Sequence, residues 1–206
     1  MLDWATLVRK YNLRGEVNGV LAVGAHLAEE APAYAELNVP VWWVEANPGV
    51  FDKIRKALKP YPRQKLIEAL ITDVDGEERK FNVTNYDGMS SSVLEFGTHP
   101  TFSPDTVWVD HLTLPTRTLD SLVDEHEIKA NMLVMDLQGA EGLALKGAAK
   151  LIESLDYVYS EFNIAEVYIG CVKLDEMDRI LHDFERVETT PAPNGWGDCL
   201  FVRRGR

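Results

Sequence analysis

The stretch "LVMDLQGAEGLALKGA", residues 133–148, joins an apolar run to a helix-like segment through a short polar turn. The apolar run ends at Asp136, and Glu141 follows where the helix should begin. A carboxylate at the end of a buried strand costs free energy unless something there uses it. Asp136 could bind a cationic group, coordinate a metal, accept a proton or cap the next helix. For Glu141 we expect a favourable interaction with the helix dipole, whatever its function.

Strand-like and helix-like segments alternate on both sides of this stretch, which predicts a mainly parallel α/β sheet with helices on both faces. Strands are predicted at 18–23, 39–46, 64–72, 79–85, 132–136 and 157–163. Helices are predicted at 28–37, 48–60, 118–127, 140–155 and 174–184. Two short strands around a Pro/Gly-rich connector near the C-terminus predict an antiparallel hairpin.

The chain is predicted to form one domain over residues 1–206, with a helical lead-in at 1–17. Residues 86–115 show little periodicity, and so long an irregular stretch in a compact domain is typically functional or partly strand. The net charge of −12 disfavours a nucleic-acid or anionic-membrane partner, since both require a basic face. No apolar run is long enough to span a membrane and no signal-peptide pattern is visible, so a cytoplasmic location is expected.

Four residues that follow or end predicted strands form a candidate cleft. Ligands of open α/β sheets bind outside the carboxyl ends of the strands, and this rule groups Gly24, Glu45, Asp136 and Glu161. Gly24 lies in the small-residue turn "VGAHLAEE" (23–30). Glu45 follows 21 residues later, near the spacing at which an acid meets a ribose diol. Taken alone, the turn at Gly24 could be a plain tight turn, and Glu45 could be a solvated acid.

The histidines and hydroxyl residues give weaker signals. The five histidines have no metal-binding spacing and the carboxylates come one per strand end, so no metal site is predicted. His26, in the first turn, can reach the cleft. The stretch "GMSSSVL" (88–94) has three hydroxyls in a row, for which local hydroxyl-to-backbone hydrogen bonds are a sufficient explanation.

Seven segments together resemble the FkbM-type S-adenosylmethionine-dependent methyltransferases, in order from about residue 18 to 203. They are "VGAHLAEE", "VEANPGVFDKI", "ALITDVDGEERKFNVTN", "GMSSSVL", "LPTRTLDSLV", "LVMDLQGAEGLALKGA" and "SEFN". The part from "TLDSL" through "MDLQGAEGLALKGA" is the most specific. The resemblance implies a class I methyltransferase fold, which is Rossmann-like and seven-stranded with an antiparallel last strand, and it implies S-adenosylmethionine as cofactor.

The resemblance also implies roles for the acids and turns. The turn at Gly24 would hold the methionine part of the cofactor, Glu45 its ribose, and Ala69 with Leu70 its adenine. The loop 90–92 and Asp136 would border the methionine end and the methyl group. The cofactor-binding residues expected are Gly24, Ala25, His26, Glu45, Ala46, Asn47, Ala69, Leu70, Ser91, Ser92 and Asp136.

The reaction implied is methyl transfer to a hydroxyl of a sugar or another small metabolite. A base is needed because a neutral hydroxyl is a poor nucleophile, and Asp136, Glu161 and His26 are the candidates. The partners expected are a small-molecule hydroxyl acceptor and, as an open alternative, further copies of the chain.

The first turn departs from the family's usual Asp-Val-Gly-Ala-Asn-x-Gly, because Ala22 stands for the acid and Ala28 for the last glycine. A non-catalytic cofactor-binding or interaction domain on the same fold therefore stays open. So does an NAD(P)-dependent oxidoreductase, which the incomplete glycine pattern and the terminal hairpin disfavour.

Overall fold

The structure is a computed structural model that describes residues 4–205. The strands in this part of the chain are β1 Val20–Val23, β2 Val41–Glu45, β3 Gln64–Glu68, β4 Leu70–Ile71, β5 Glu78–Thr84, β6 Trp108–Arg117, β7 Met132–Met135, β8 Tyr157–Asn163, β9 Phe184–Thr189 and β10 Trp196–Arg203. The helices are α1 Trp4–Lys10, α2 Leu13–Glu16, α3 Ala31–Ala35, α4 Phe51–Leu58, α5 Asn85–Gly88, α6 His99–Phe102, α7 Leu119–Glu125, α8 Glu141–Lys146, α9 Ala149–Ser154 and α10 Leu174–Ile180. A 3₁₀ turn, Pro48–Val50, precedes α4.

Seven strands form the main sheet, in the order β3-β2-β1-β7-β8-β10-β9. The first five of these run parallel to their neighbours, and β10 is antiparallel to both β8 and β9. This arrangement confirms the predicted seven-stranded, mainly parallel sheet with a C-terminal hairpin. Within the described residues, no helix has the length and apolarity needed to cross a bilayer.

The apolar core lies on both faces of the main sheet. Along β1, Leu21 and Val23 pack into the core on one face, while Val20 and Ala22 pack into the core on the other. All four residues are buried, which explains why this central strand reads as an unbroken apolar run. Because both faces are covered, the carboxyl-end edge of the sheet is where the parallel strands remain accessible to a ligand.

A second, three-stranded sheet has the order β4-β6-β5 and was only partly predicted. The predicted strand 64–72 divides at Ala69, so that β3 joins the main sheet and β4 pairs with β6. Residues 86–115 were expected to be functional or partly strand, and their last part is strand, because β6 is a ten-residue strand paired with β5. Most residues of β6 are exposed or half-buried, so the sequence carries no strong apolar alternation there.

The predicted helix 140–155 is two helices, α8 and α9, divided at Gly147. The carboxylate of Asp120, on α7, accepts hydrogen bonds from the backbone N–H of Lys150 and Leu151 at 3.0 and 2.9 Å. These contacts cap the beginning of α9 from a neighbouring helix, which is why the chain starts a new helix there. Helices α3 and α10 are also shorter than predicted.

The turn after β1 is held against the end of β7. Gly24 has φ +89°, and a Cβ placed on it would lie 1.8 Å from the carbonyl oxygen of Asp136. The two strand ends therefore approach so closely that only glycine fits. His26 and Ala28, in the same turn, have φ of +44° and +55°, which is uncommon for residues with a side chain.

We expect Gly24→Ala to lower the free energy of unfolding by roughly 3 kcal/mol or more, because both the positive φ and the Asp136 carbonyl oppose a side chain. Gly76→Ala is the matched control, since Gly76 has φ +75° but nothing within 4 Å of the point that a Cβ would occupy. It should cost only about 1 kcal/mol, the strain of the left-handed backbone alone. Urea unfolding of both variants measures the difference, and equal losses would contradict the close approach.

Substituting Ala28 by glycine should destabilise the protein less than an Ala→Gly substitution usually does. Ala→Gly normally destabilises by roughly 0.5–1 kcal/mol through backbone entropy, but at Ala28 the change also relieves left-handed strain of about 1 kcal/mol. Ala25→Gly is the control, because Ala25 is equally buried and has no positive φ. Thermal unfolding should show Ala28→Gly to be the milder variant by about 1 kcal/mol. The reverse order would show that the turn is unstrained.

Candidate functional site

Glu45 lies at the end of β2, with its side chain turned back under the first turn. The residue is 8% exposed, and its carboxylate accepts hydrogen bonds from the backbone N–H of His26, Ala46 and Asn47 at 2.8, 2.9 and 2.7 Å. One carboxylate therefore connects the turn after β1 to the turn after β2. Burial raises the pKa of Glu45, and the three N–H donors oppose that rise by favouring the charged form.

A narrow cleft of about 70 Å³ opens beside Glu45. Nine of the predicted cofactor-binding residues line it: Gly24, His26, Glu45, Ala46, Ala69, Leu70, Ser91, Ser92 and Asp136. The remaining walls are largely apolar: Val23, Val44, Ile71, Phe81, Met89, Val93, Leu137 and Ala140, with Gly88 and Gln138. The cleft thus combines an acid at one side with a slot suited to a flat apolar group.

A larger cavity of about 800 Å³ adjoins the narrow cleft and shares wall residues with it. The residues common to both are Val23, Gly24, His26, Met89, Asp136 and Gln138. Ala25 and Glu161, both predicted site residues, line only the larger cavity. Asn47 lines neither of these two cavities; its side chain instead accepts a hydrogen bond from the Gly49 backbone N–H at 2.9 Å and caps the 3₁₀ turn.

The larger cavity is acidic. Five carboxyl residues lie on its described walls: Glu29, Glu30, Asp136, Glu161 and Asp198. Among the same described wall residues there is no Lys or Arg. Such walls attract cationic groups and repel anionic ones. Burial, with the charges of nearby Glu29 and Asp136, raises the pKa of Glu30.

Three carboxylates meet at the floor of this cavity: Asp136 and Glu161 line it, and Glu141 lies buried behind them. Asp136, Glu141 and Glu161 each have an oxygen within 4.8 Å of an oxygen of the other two. Asp136 faces the cavity, Glu161 is half-buried and Glu141 is fully buried. The sequence placed Asp136 and Glu161 in one cleft, but it assigned Glu141 to the helix dipole. The three residues are called the acidic trio below.

Burial and mutual repulsion raise the pKa values of the acidic trio. Burial raises the pKa of Glu161 well above its usual range, and the charges of Asp136 and Glu141 raise it further. Burial also raises the pKa of Asp136, although a hydrogen bond with Glu161 opposes the rise. Burial raises the pKa of Glu141 to about 7. Burial and crowding therefore favour the neutral form of each of these carboxyl groups.

Gln138 and Tyr168 connect the acidic trio to the surrounding loops. The Gln138 side-chain N–H group donates to Asp136 at 2.5 Å and to Glu161 at 3.2 Å. The Tyr168 hydroxyl donates to the Gln138 Oε1 at 2.7 Å, which fixes the orientation of the amide. The Ser92 hydroxyl donates to the Gln138 backbone carbonyl at 2.9 Å. These contacts hold Asp136 and Glu161 in one arrangement.

His26 lines both cavities. Its Nδ1 lies 3.1 Å from an oxygen of Glu29. Its Nε2 is buried and has no hydrogen-bond partner among the described residues. A buried, unpartnered nitrogen on a cavity wall is available to a ligand, so His26 stays a candidate for cofactor contact.

Glu141, Gln138 and Tyr168 are site residues that the sequence did not reveal. Gln138 and Gly139 have φ of +53° and +94°, and these two left-handed residues turn Glu141 back toward the strand end. The "QG" pair at 138–139 is a turn signal, and it could have predicted this reversal. Tyr168 lies in the stretch 163–171, which the sequence suggests only as a wall for the acceptor, and its contact with Gln138 arises through tertiary packing of the loop after β8.

Comparison with known proteins agrees with this fold. The sequence profile of the methyltransferase FkbM domain matches residues 23–187. The 2-O-methyltransferase NoeI of Sinorhizobium fredii (strain NBRC 101917 / NGR234) is 25% identical over 184 residues, covering 84% of this chain and 74% of NoeI.

Two solved structures illustrate the likeness in fold. The N-terminal domain of EvdMO1 with SAH bound has a TM-score of 0.53 at 10% identity, covering 100% of this chain and 82% of that one. Magnesium protoporphyrin IX methyltransferase (ChlM) from Synechocystis PCC 6803 with bound SAM has a TM-score of 0.51 at 13% identity, covering 97% and 76%. The family profile spans most of the chain, so the protein belongs to the FkbM methyltransferase family and is an S-adenosylmethionine-dependent methyltransferase.

Proposed function

We propose that this enzyme methylates a hydroxyl oxygen of a sugar or a similar polyhydroxy metabolite. The observation that carries the proposal is the position of Asp136, which lines both the narrow cleft and the larger cavity, with Glu161 beside it on the wall of the larger one. A proton acceptor at the junction of a cofactor-sized slot and an acceptor-sized space is what O-methylation requires. The name of the relative NoeI, a 2-O-methyltransferase, supports oxygen as the methylated atom.

The described walls fit S-adenosylmethionine. The carboxylate of Glu45 already accepts three backbone N–H groups, which leaves about one of its four acceptor positions for a ribose hydroxyl. Ala69, Leu70 and Phe81 give the adenine an apolar slot. The unpartnered Nε2 of His26 offers a polar contact near the turn at Gly24. Bound there, the cofactor supplies an electrophilic methyl group on a sulfonium centre.

The acidic floor has two tasks in this scheme. Its negative charge favours the sulfonium and ammonium groups of the cofactor, since no Lys or Arg lies among the described walls of the larger cavity. Asp136, held by Gln138, also accepts a hydrogen bond from the acceptor hydroxyl and takes up its proton as the oxygen is methylated.

The walls of the larger cavity also support the class of acceptor. Aromatic side chains line it and can pack against the apolar faces of sugar rings: Trp4, Tyr34, Trp43, Tyr159, Tyr168 and Trp196. The carboxylates offer hydrogen-bond acceptors for hydroxyl groups. Because the described walls lack basic residues, an acceptor without phosphate or carboxylate groups fits them best.

We also propose that residues 1–206 act as one domain, with 1–17 as part of it. Leu7 on α1 and Leu13 on α2 are buried in the core on one face of the main sheet. Trp4, at the start of α1, lines the larger cavity. The lead-in thus contributes both to the core and to the proposed acceptor site.

The cofactor site is tested by titrating the protein with S-adenosylmethionine in a calorimeter. Glu45→Gln should weaken binding by at least about tenfold, because the amide N–H₂ faces backbone N–H donors and one ribose contact is lost. Glu68→Gln is the matched control at the end of β3, where the side chain is exposed and pairs with Arg55. It should bind as the unaltered protein does. Equal affinities for all three proteins would remove Glu45 from the cofactor site, and NAD serves as the negative ligand.

The reaction is tested by measuring S-adenosylhomocysteine release with a panel of neutral mono- and disaccharides. Asp136→Asn should reduce turnover by about 10²-fold or more, because the amide cannot take up the hydroxyl proton. Asp52→Asn is the matched control, with a side chain 99% exposed and outside both cavity walls. It should keep full turnover. An Asp136→Asn enzyme as fast as the control would rule out the assigned role.

A further inference from the structure

The oxygen spacing of the acidic trio matches that of ligands around a single cation. An oxygen of each residue lies within 4.8 Å of an oxygen of the other two. Two oxygens bound to one ion at about 2.1–2.5 Å lie at most about 5 Å apart. Three carboxylates crowded at this distance repel each other strongly in a partly buried site. A divalent cation between them would remove most of that repulsion.

A separate observation concerns Glu141. This residue is 0% exposed, and its Oε1 accepts the backbone N–H of Leu137 and of Gly139 at 2.8 and 3.3 Å. Its Oε2 is buried and has no hydrogen-bond partner among the described residues. A buried carboxylate oxygen without a partner carries a large desolvation cost. The oxygen is thus left available to a ligand at the site it shares with Asp136 and Glu161.

We propose that Asp136, Glu141 and Glu161 bind one hard divalent cation at the floor of the larger cavity. The donors are all oxygen atoms, which suits Mg²⁺, Mn²⁺ or Ca²⁺ rather than a softer metal. Gln138 donates to Asp136 and Glu161 and so orients two of the ligands. The sequence predicted no metal site, because its carboxylates seemed to come one per strand end. The proposal departs from that expectation because the turn at 138–139 adds Glu141 to the two strand-end acids.

The ion has a place in the reaction, and this part rests on the proposed function. Asp136 lies on the cavity wall, so the open side of the ion would face the acceptor. An ion held there would lower the pKa of an acceptor hydroxyl bound beside it and so ease the transfer of its proton. Asp136 would hold the ion with one carboxylate oxygen and take up the hydroxyl proton with the other, as in the proposed function. No electron is transferred, and no oxidant or reductant is needed.

The site is tested by titrating the EDTA-stripped, full-length protein with Mn²⁺ and following free Mn²⁺ by electron paramagnetic resonance. We expect one Mn²⁺ per chain with a Kd of about 100 μM or tighter, displaced by excess Mg²⁺ or Ca²⁺. Asp136→Asn and Glu161→Gln should each weaken binding by at least about tenfold. Glu30→Gln is the matched control, because Glu30 is a carboxyl residue on the same cavity wall outside the acidic trio. It should weaken binding less than about threefold, the loss of one nearby charge.

Two results would overturn the proposal. One is no Mn²⁺ binding at millimolar concentration by a protein whose circular dichroism shows it to be folded. The other is equal weakening by Glu30→Gln and by the trio variants, which would mean diffuse attraction to an acidic cavity. The titration needs neither cofactor nor acceptor, so a protein that binds Mn²⁺ but transfers no methyl group would contradict the proposed function alone. Full turnover after EDTA treatment would remove the ion from the reaction.

Discussion

Two buried glutamates hold the backbone turns from which the site is built. Glu45 accepts three N–H groups from the turns after β1 and β2, and Glu141 accepts two from the turn after β7. Buried backbone donors must find an acceptor, and at the carboxyl ends of parallel strands the ladder no longer supplies one. These carboxylates supply it, so the walls of both cavities depend on them. The cost of burying their charge is partly offset by the donors they satisfy.

The main sheet could be predicted from short-range sequence patterns. One topological rule then grouped the site residues at the ends of its strands: Gly24, Glu45, Asp136 and Glu161. Apolar runs mark strands buried on both faces, and parallel strands bring their ends together. Strand β6 could not be predicted, since most of its residues face solvent and its order comes from pairing with β5. The division of α8 from α9 was equally hidden, because its cap comes from Asp120 on another helix.

The chemistry of the site depends on contacts between distant segments. Tyr168 reaches Gln138 from the loop after β8, and Gln138 in turn holds Asp136 against Glu161. Neither residue type suggests a function by itself. Together, Tyr168 and Gln138 keep the carboxyl groups of Asp136 and Glu161 close to each other. A folded protein tolerates such an arrangement only where the surrounding contacts impose it. The departures at Ala22 and Ala28 leave this network intact, since neither side chain takes part in it.

The segment 94–107, between β5 and β6, contributes to the larger cavity, whereas Leu70 of β4 and Phe81 of β5 line the narrow cleft. In this segment Phe96 stacks on Trp108 of β6, at 3.7 Å between ring centroids, and also contacts Tyr168. His99 and Ser103 of that segment line the larger cavity but not the narrow cleft. In the proposed scheme, a sequence change in 94–107 would alter the wall that meets the acceptor, while the strand-end turns that meet the cofactor would keep their contacts. Acceptor recognition and cofactor binding would then depend on separate stretches of the chain.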